Sequence, residues 1–135
     1  MSRARYLAIP LLSLFAVLAG CAGPMPKPNP SEAWVSLQEE TPEVLLAEKL
    51  DGQRLDDGRF FEVPPGAHSL QVQLYDNQDS NASQLCDATL KYDGFQAGGH
   101  YRLEETSLGR EFRAKLYDGQ GHKLAETDHF SCMPS

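Results

Sequence analysis

Beyond residue 32, apolar and polar residues alternate through segment after segment, and a period of two restricts such segments to half-buried β-strands. Leu70, Val72 and Leu74 interleave with Ser69, Gln71 and Gln73. Cys86, Ala88, Leu90 and Tyr92 fall on one side of their segment, with Asp87, Thr89 and Lys91 on the other. Ala33, Val35 and Leu37 follow the same rule, as do Tyr101 and Leu103 after Gly98-Gly99, and Phe112, Ala114 and Leu116 before the turn from Asp118 to Gly121. Short strands punctuated by turn residues every ten or so positions describe an all-β chain, a small antiparallel β-sandwich or barrel.

Local chemistry sets the expected connections. Asp51-Gly52 tolerates the positive φ angles of a tight hairpin, so Leu46 to Leu50 should meet Gln53 to Leu55 across it. Asp57-Gly58 supplies a second turn, Arg59 to Val63 can continue as a strand, and the two turns together imply a meander. Pro42 to Lys49 admits a helix as well: Thr41 could cap it, Pro42 suits a first turn, and Val44, Leu45 and Glu48 have helical spacing.

The front of the chain has a different character. Arg3 and Arg5 precede an apolar run from Tyr6 to Leu18 that ends in Ala19-Gly20, the layout of a secretory signal. The run is short of the roughly 20 residues a bilayer-spanning helix needs. Leu18-Ala19-Gly20-Cys21 resembles the lipobox of bacterial lipoproteins. The resemblance implies cleavage before Cys21, acylation of that cysteine, and, with Ala22 rather than Asp after it, sorting to the outer membrane with the domain facing the periplasm. Several acyl chains on one residue anchor stably where one chain binds marginally.

The segment PMPKPNP, residues 24–30, has proline at every second position and forms a semi-rigid polyproline II spacer of about 3 Å per residue. The expected organisation is therefore a signal over 1–20, a lipidated cysteine and tether over 21–31, and one β-domain over 32–135.

Removal of Arg3 and Arg5 with the signal leaves ten basic against 19 acidic residues, a formal net charge of −9. Such a surface disfavours nucleic acid and anionic lipid as partners. The expected partners are the membrane, through the anchor, and an envelope protein or peptidoglycan.

Leu50 to Leu74 reads LDGQRLDDGRFFEVPPGAHSLQVQL and resembles the PEGA-type β module of bacterial envelope proteins: a strand, a D-G turn, a short strand, then P-x-G-x-H-x-[LIV]-x-V. Pro65 stands where that motif carries Glu. Phe95, Ala97, Gly98, Tyr101 and Leu103 are similar to a second element of small bacterial lipoproteins built on this module. The resemblance implies fold and carries no catalytic residues. Pro64 and Pro65 fix φ, Gly66 permits the turn, and Leu70 and Val72 enter the core. His68 shares the side of Leu70 and Val72, where its ring should pack on the sheet rim and bond a turn carbonyl.

With Cys21 acylated, Cys86 and Cys132 remain, and an even pair in an oxidising compartment points to a disulfide that ties the tail HFSCMPS to a core strand. The alternative is a soft metal site of His129, Cys132 and Met133 suited to copper(I), which would make the chain a periplasmic copper-binding lipoprotein. The chain contains no G-x-S-x-G, H-E-x-x-H or phosphate-loop motif, and adjacent Glu104 and Glu105 should point to opposite faces of a strand. Neither catalysis nor a cofactor is expected. Trp34, Phe60 or Phe61, Tyr75 and Tyr117 cannot all enter one small core, so Trp34, Tyr75 and Tyr117 are candidate contacts for a partner.

Overall fold

Alternating segments can bury an apolar side only by pairing edge to edge and facing a second sheet. The computed structural model, which describes residues 23–40, 43–76, 84–108 and 111–134, does this with ten strands and, among those residues, no helix. In chain order they are β1 (Ala33–Glu39), β2 (Val44–Leu50), β3 (Gln53–Arg54), β4 (Phe60–Val63), β5 (Gly66–Asp76), β6 (Gln84–Phe95), β7 (His100–Leu108), β8 (Glu111–Tyr117), β9 (Lys123–Glu126) and β10 (Ser131–Pro134). Two five-stranded sheets result, ordered β4-β1-β7-β8-β9 and β10-β6-β5-β2-β3. Every ladder is antiparallel except β1 with β7, which run parallel from Trp34 opposite His100 to Glu39 opposite Glu105.

The inward residues are those the alternation selects. Val35, Phe61, Val63, Leu70, Val72, Leu74, Cys86, Leu90, Leu103, Ala114 and Leu116 are fully buried between the sheets. Each large aliphatic or aromatic side chain among them contributes roughly 1.5–3 kcal/mol relative to exposure. Phe95, Tyr92 and Tyr101 close one end of this core edge to face, with ring centroids 5.0–6.4 Å apart. At that end the chain enters the sandwich, with Gly98 N–H donating to Glu32 O and Trp34 N–H to Gly99 O, both at 2.9 Å, and the tether before it lies along the domain as far as Gly23, whose carbonyl accepts from Arg59 Nη1 at 3.2 Å. Strand β1 starts here and ends at Glu39 at the opposite pole.

Two expectations are corrected. The helix over Pro42 to Lys49 does not form in its described part: Val44–Leu50 is a strand paired with β5, with Leu45 and Ala47 buried and Val44 and Leu46 exposed. Seven residues are too few to sustain a helix alone, whereas β5 satisfies the strand's backbone. Thr41 and Pro42 lie outside the described residues. The meander also fails after its first hairpin. β2 and β3 pair across Asp51-Gly52, both at positive φ (51° and 83°), as a two-residue turn requires. The Asp57-Gly58 turn instead carries the chain across the sandwich, where β4 joins β1 in the other sheet. Phe61 and Val63 are drawn into the core by that crossing. Gly58 O accepts from Ala47 N–H at 2.8 Å, which braces the crossing against β2 beside its bulge.

Candidate binding face on the second sheet

The outward side of the second sheet departs from the polar side that alternation implies. Val44 of β2 is opposite Tyr75 of β5, Tyr75 is opposite Leu85 of β6, and Leu85 is opposite Met133 of β10. Their inward neighbours Leu45, Leu74 and Cys86 are buried, so all four point out, with exposures of 48, 39, 36 and 71 %. Side chains in directly opposed positions touch along a sheet face, so this is one apolar row across four strands. Leu46, also exposed, extends it by one position along β2. The row lies at the pole where Glu39 ends β1 and its carboxylate accepts from Leu45 N–H at 2.9 Å, opposite the start of β1. A contiguous outward apolar patch on a small domain is characteristic of a contact surface.

Beside Leu46 the face turns acidic. Glu48 on β2 and Asp87 on β6 flank β5, held by Gln71 Nε2 donating to Glu48 Oε2 at 3.2 Å and Gln73 Nε2 to Asp87 Oδ1 at 3.5 Å. Burial raises the Glu48 pKa above the usual carboxylate value, and the hydrogen bond and negative charge of Asp87 raise it further, while Lys49 and Arg54 act weakly in the opposite sense. Among the described residues neither carboxylate forms a salt bridge.

Of the three aromatic candidates, only Tyr75 belongs to this face. Trp34 stacks on Phe60 at 4.3 Å on the outside of the first sheet, and Tyr117 lies under the Arg102 guanidinium at 4.8 Å. The sequence offers Met133 as a metal ligand and Val44 as part of a helix, and it marks neither them nor Leu46 and Leu85 as members of a face, although the doublets Leu45-Leu46 and Leu85-Cys86 put an apolar residue on each side of an alternating strand.

Cys86 and Cys132 are opposite one another on β6 and β10 and joined by a disulfide with S–S 2.04 Å. With the Cys132 sulfur so used, and Met133 pointing to the other side of β10, the proposed copper ligands are not brought together. Among the described residues no group of three or more His, Cys, Asp or Glu side chains is placed to hold a metal. Cys21 lies outside the described residues.

His68 sits at the tether-side rim. Its Nδ1–H donates to Asp51 Oδ2 at 2.6 Å, its Nε2 is 3.4 Å from Pro65 O, and its ring is tilted against Phe95. The turn carbonyl was expected; Asp51 is an additional partner. Asp51 Oδ1 accepts from Ser69 N–H at 2.8 Å, and that bond, followed by the one from His68, lowers the Asp51 pKa. A cleft of about 610 Å³ opens beside them, lined by Lys91, Tyr92, Asp93 and Leu124 among others. Asp51 and His68 already bond each other there, which gives them a turn-locking role. Glu104 and Glu105 point to opposite faces: Glu105 is wholly buried, and Glu104 accepts from Arg102 Nε at 3.0 Å.

Compared with known proteins, the chain matches no family model, no curated protein and no solved structure.

Proposed function

We propose that this chain is a non-enzymatic, lipid-anchored envelope protein whose β-sandwich offers a protein-binding face at the pole opposite the start of β1. The observation that carries the reading is the outward row Val44, Tyr75, Leu85 and Met133. The row has a single aromatic ring among apolar non-aromatic side chains, which suits a protein surface better than the sugars of peptidoglycan. The lipobox-like Leu18-Ala19-Gly20-Cys21 supports anchoring through Cys21 at the outer membrane, and the tether, instead of standing off as a spacer, lies against the domain, with Arg59 Nη1 donating to Gly23 O at 3.2 Å. Among the described residues no helix is long and apolar enough to cross a membrane. The strand, D-G turn, short strand and Pro64-Pro65-Gly66-Ala67-His68 succession supports the PEGA-like assignment of the module.

Two variants test this in the native host. Cys21→Ala should move the protein from the outer-membrane fraction to the soluble one. Tyr75→Ser with Leu85→Ser should leave it anchored and abolish co-purification of a protein partner retained by the wild type. Continued membrane association of Cys21→Ala, or an unchanged partner in the double variant, contradicts the corresponding half of the proposal.

A further inference from the structure

The chemistry of the acidic corner narrows the partner further, resting on the proposal that the apolar row is a binding face. Glu48 and Asp87 approach each other from β2 and β6 over Gln71 and Gln73, immediately beside Leu46. Two carboxylates held together repel, and each prefers a cation within a few ångströms. The nearby cations leave that demand unmet: Lys49 and Arg54 reduce the effect of Asp87 on Glu48 without reversing it. A second copy of this chain would press acid against acid, and its net charge is strongly negative. A partner with apolar side chains for the row and a cation beside them satisfies both parts of the face.

We infer that the Glu48 and Asp87 carboxylates receive a lysine or arginine side chain from a basic amphipathic protein segment whose apolar side lies along Val44, Leu46, Tyr75 and Leu85. Electrostatic complementarity of this kind selects the partner and sets its orientation.

Two labelled eight-residue peptides, one alternating Leu with Lys and one alternating Leu with Gln, are titrated against the full-length protein in neutral detergent. The Leu-Lys peptide should bind at least tenfold more tightly than Leu-Gln, and Glu48→Gln with Asp87→Asn should erase that advantage. Glu62→Gln with Asp93→Asn, which removes the same charge elsewhere, should preserve it. The thermal midpoint of each variant establishes that it is folded. An advantage that survives in the first pair, or falls equally in the second, overturns the inference, as does failure of both peptides to bind. Equal binding of the two peptides that is lost in Tyr75→Ser with Leu85→Ser also overturns it, and leaves the apolar face standing. Binding of both peptides that ignores Tyr75→Ser with Leu85→Ser removes the face and the inference together. A concentration-dependent dimer abolished by that same double variant would place a second copy on the face and overturn the basic partner.

Discussion

Tyr75 and Leu85 are directly opposed on adjacent strands and point away from the core, while the next opposed pair, Leu74 and Cys86, points wholly into it. The sheet therefore separates two tasks by one residue of register. Inward residues hold the sandwich together, and outward ones are available for contact. Replacing Tyr75 and Leu85 together by Ser should change stability by no more than about 1 kcal/mol. Leu74→Ala should cost about 2–5 kcal/mol through a lost buried side chain and the cavity left behind. Equilibrium denaturation of both variants measures the contrast.

Glu48 supplies a pH test. Its pKa is raised by burial and then by Asp87, so the folded state disfavours its charged form. A carboxyl raised on folding supports stability while protonated and loses that support as pH rises through its folded value. Glu48→Gln should therefore raise the thermal midpoint at pH 7 by on the order of 1–3 °C. The difference from wild type should vanish as pH falls below the usual carboxylate range. Thermal melts of both proteins from pH 7 to pH 3 give the difference curve, which also cancels contributions common to both, such as that of Glu40, likewise raised by its hydrogen bond to Glu104.

The disulfide between Cys86 and Cys132 closes a sequence separation of 46 residues. Restricting the unfolded chain over that length stabilises the domain by about 4 kcal/mol. Non-reducing peptide mapping should recover the two cysteine peptides joined, and reduction should lower the thermal midpoint. Free reaction of both native thiols with an alkylating agent would contradict the pairing.

Gly66 has φ of 111°, and a Cβ placed there would meet no heavy atom within 4 Å. The demand for glycine is thus conformational, at the start of β5 where the register with β6 shifts. Gly66→Val should cost on the order of 1–3 kcal/mol. Denaturant titration with an unchanged midpoint would refute the requirement.

Most strands were legible because Ala33, Val35, Leu70, Val72, Leu74, Ala88, Leu90, Ala114 and Leu116 keep strict alternation, and the Asp51-Gly52 hairpin because its two residues tolerate positive φ. Legibility failed at Val44-Leu45-Leu46, where apolar residues on both sides of a strand mimic a helix segment. The same outward Val44 and Leu46 belong to the candidate face, so what obscured the strand is what marks the site. The crossing of β4 to the first sheet was not legible either, since a D-G turn fixes local geometry and leaves open which sheet the next strand joins. That choice follows from Phe61 and Val63 finding burial beside β1. Likewise Asp51 and His68 are 17 residues apart, and only the pairing of β2 with β5 brings them together.

The claim that the distal pole carries the partner-binding face is tested most directly by photocrosslinking in living cells. A photoreactive amino acid is placed in turn at Tyr75, Leu85 and Met133 on the face, and at Ser36 and Tyr117 on the outside of the other sheet. The account predicts one common protein adduct from the first three positions and none from the last two. Adducts from Ser36 or Tyr117 alone, or equal adducts from both sheets, would contradict it.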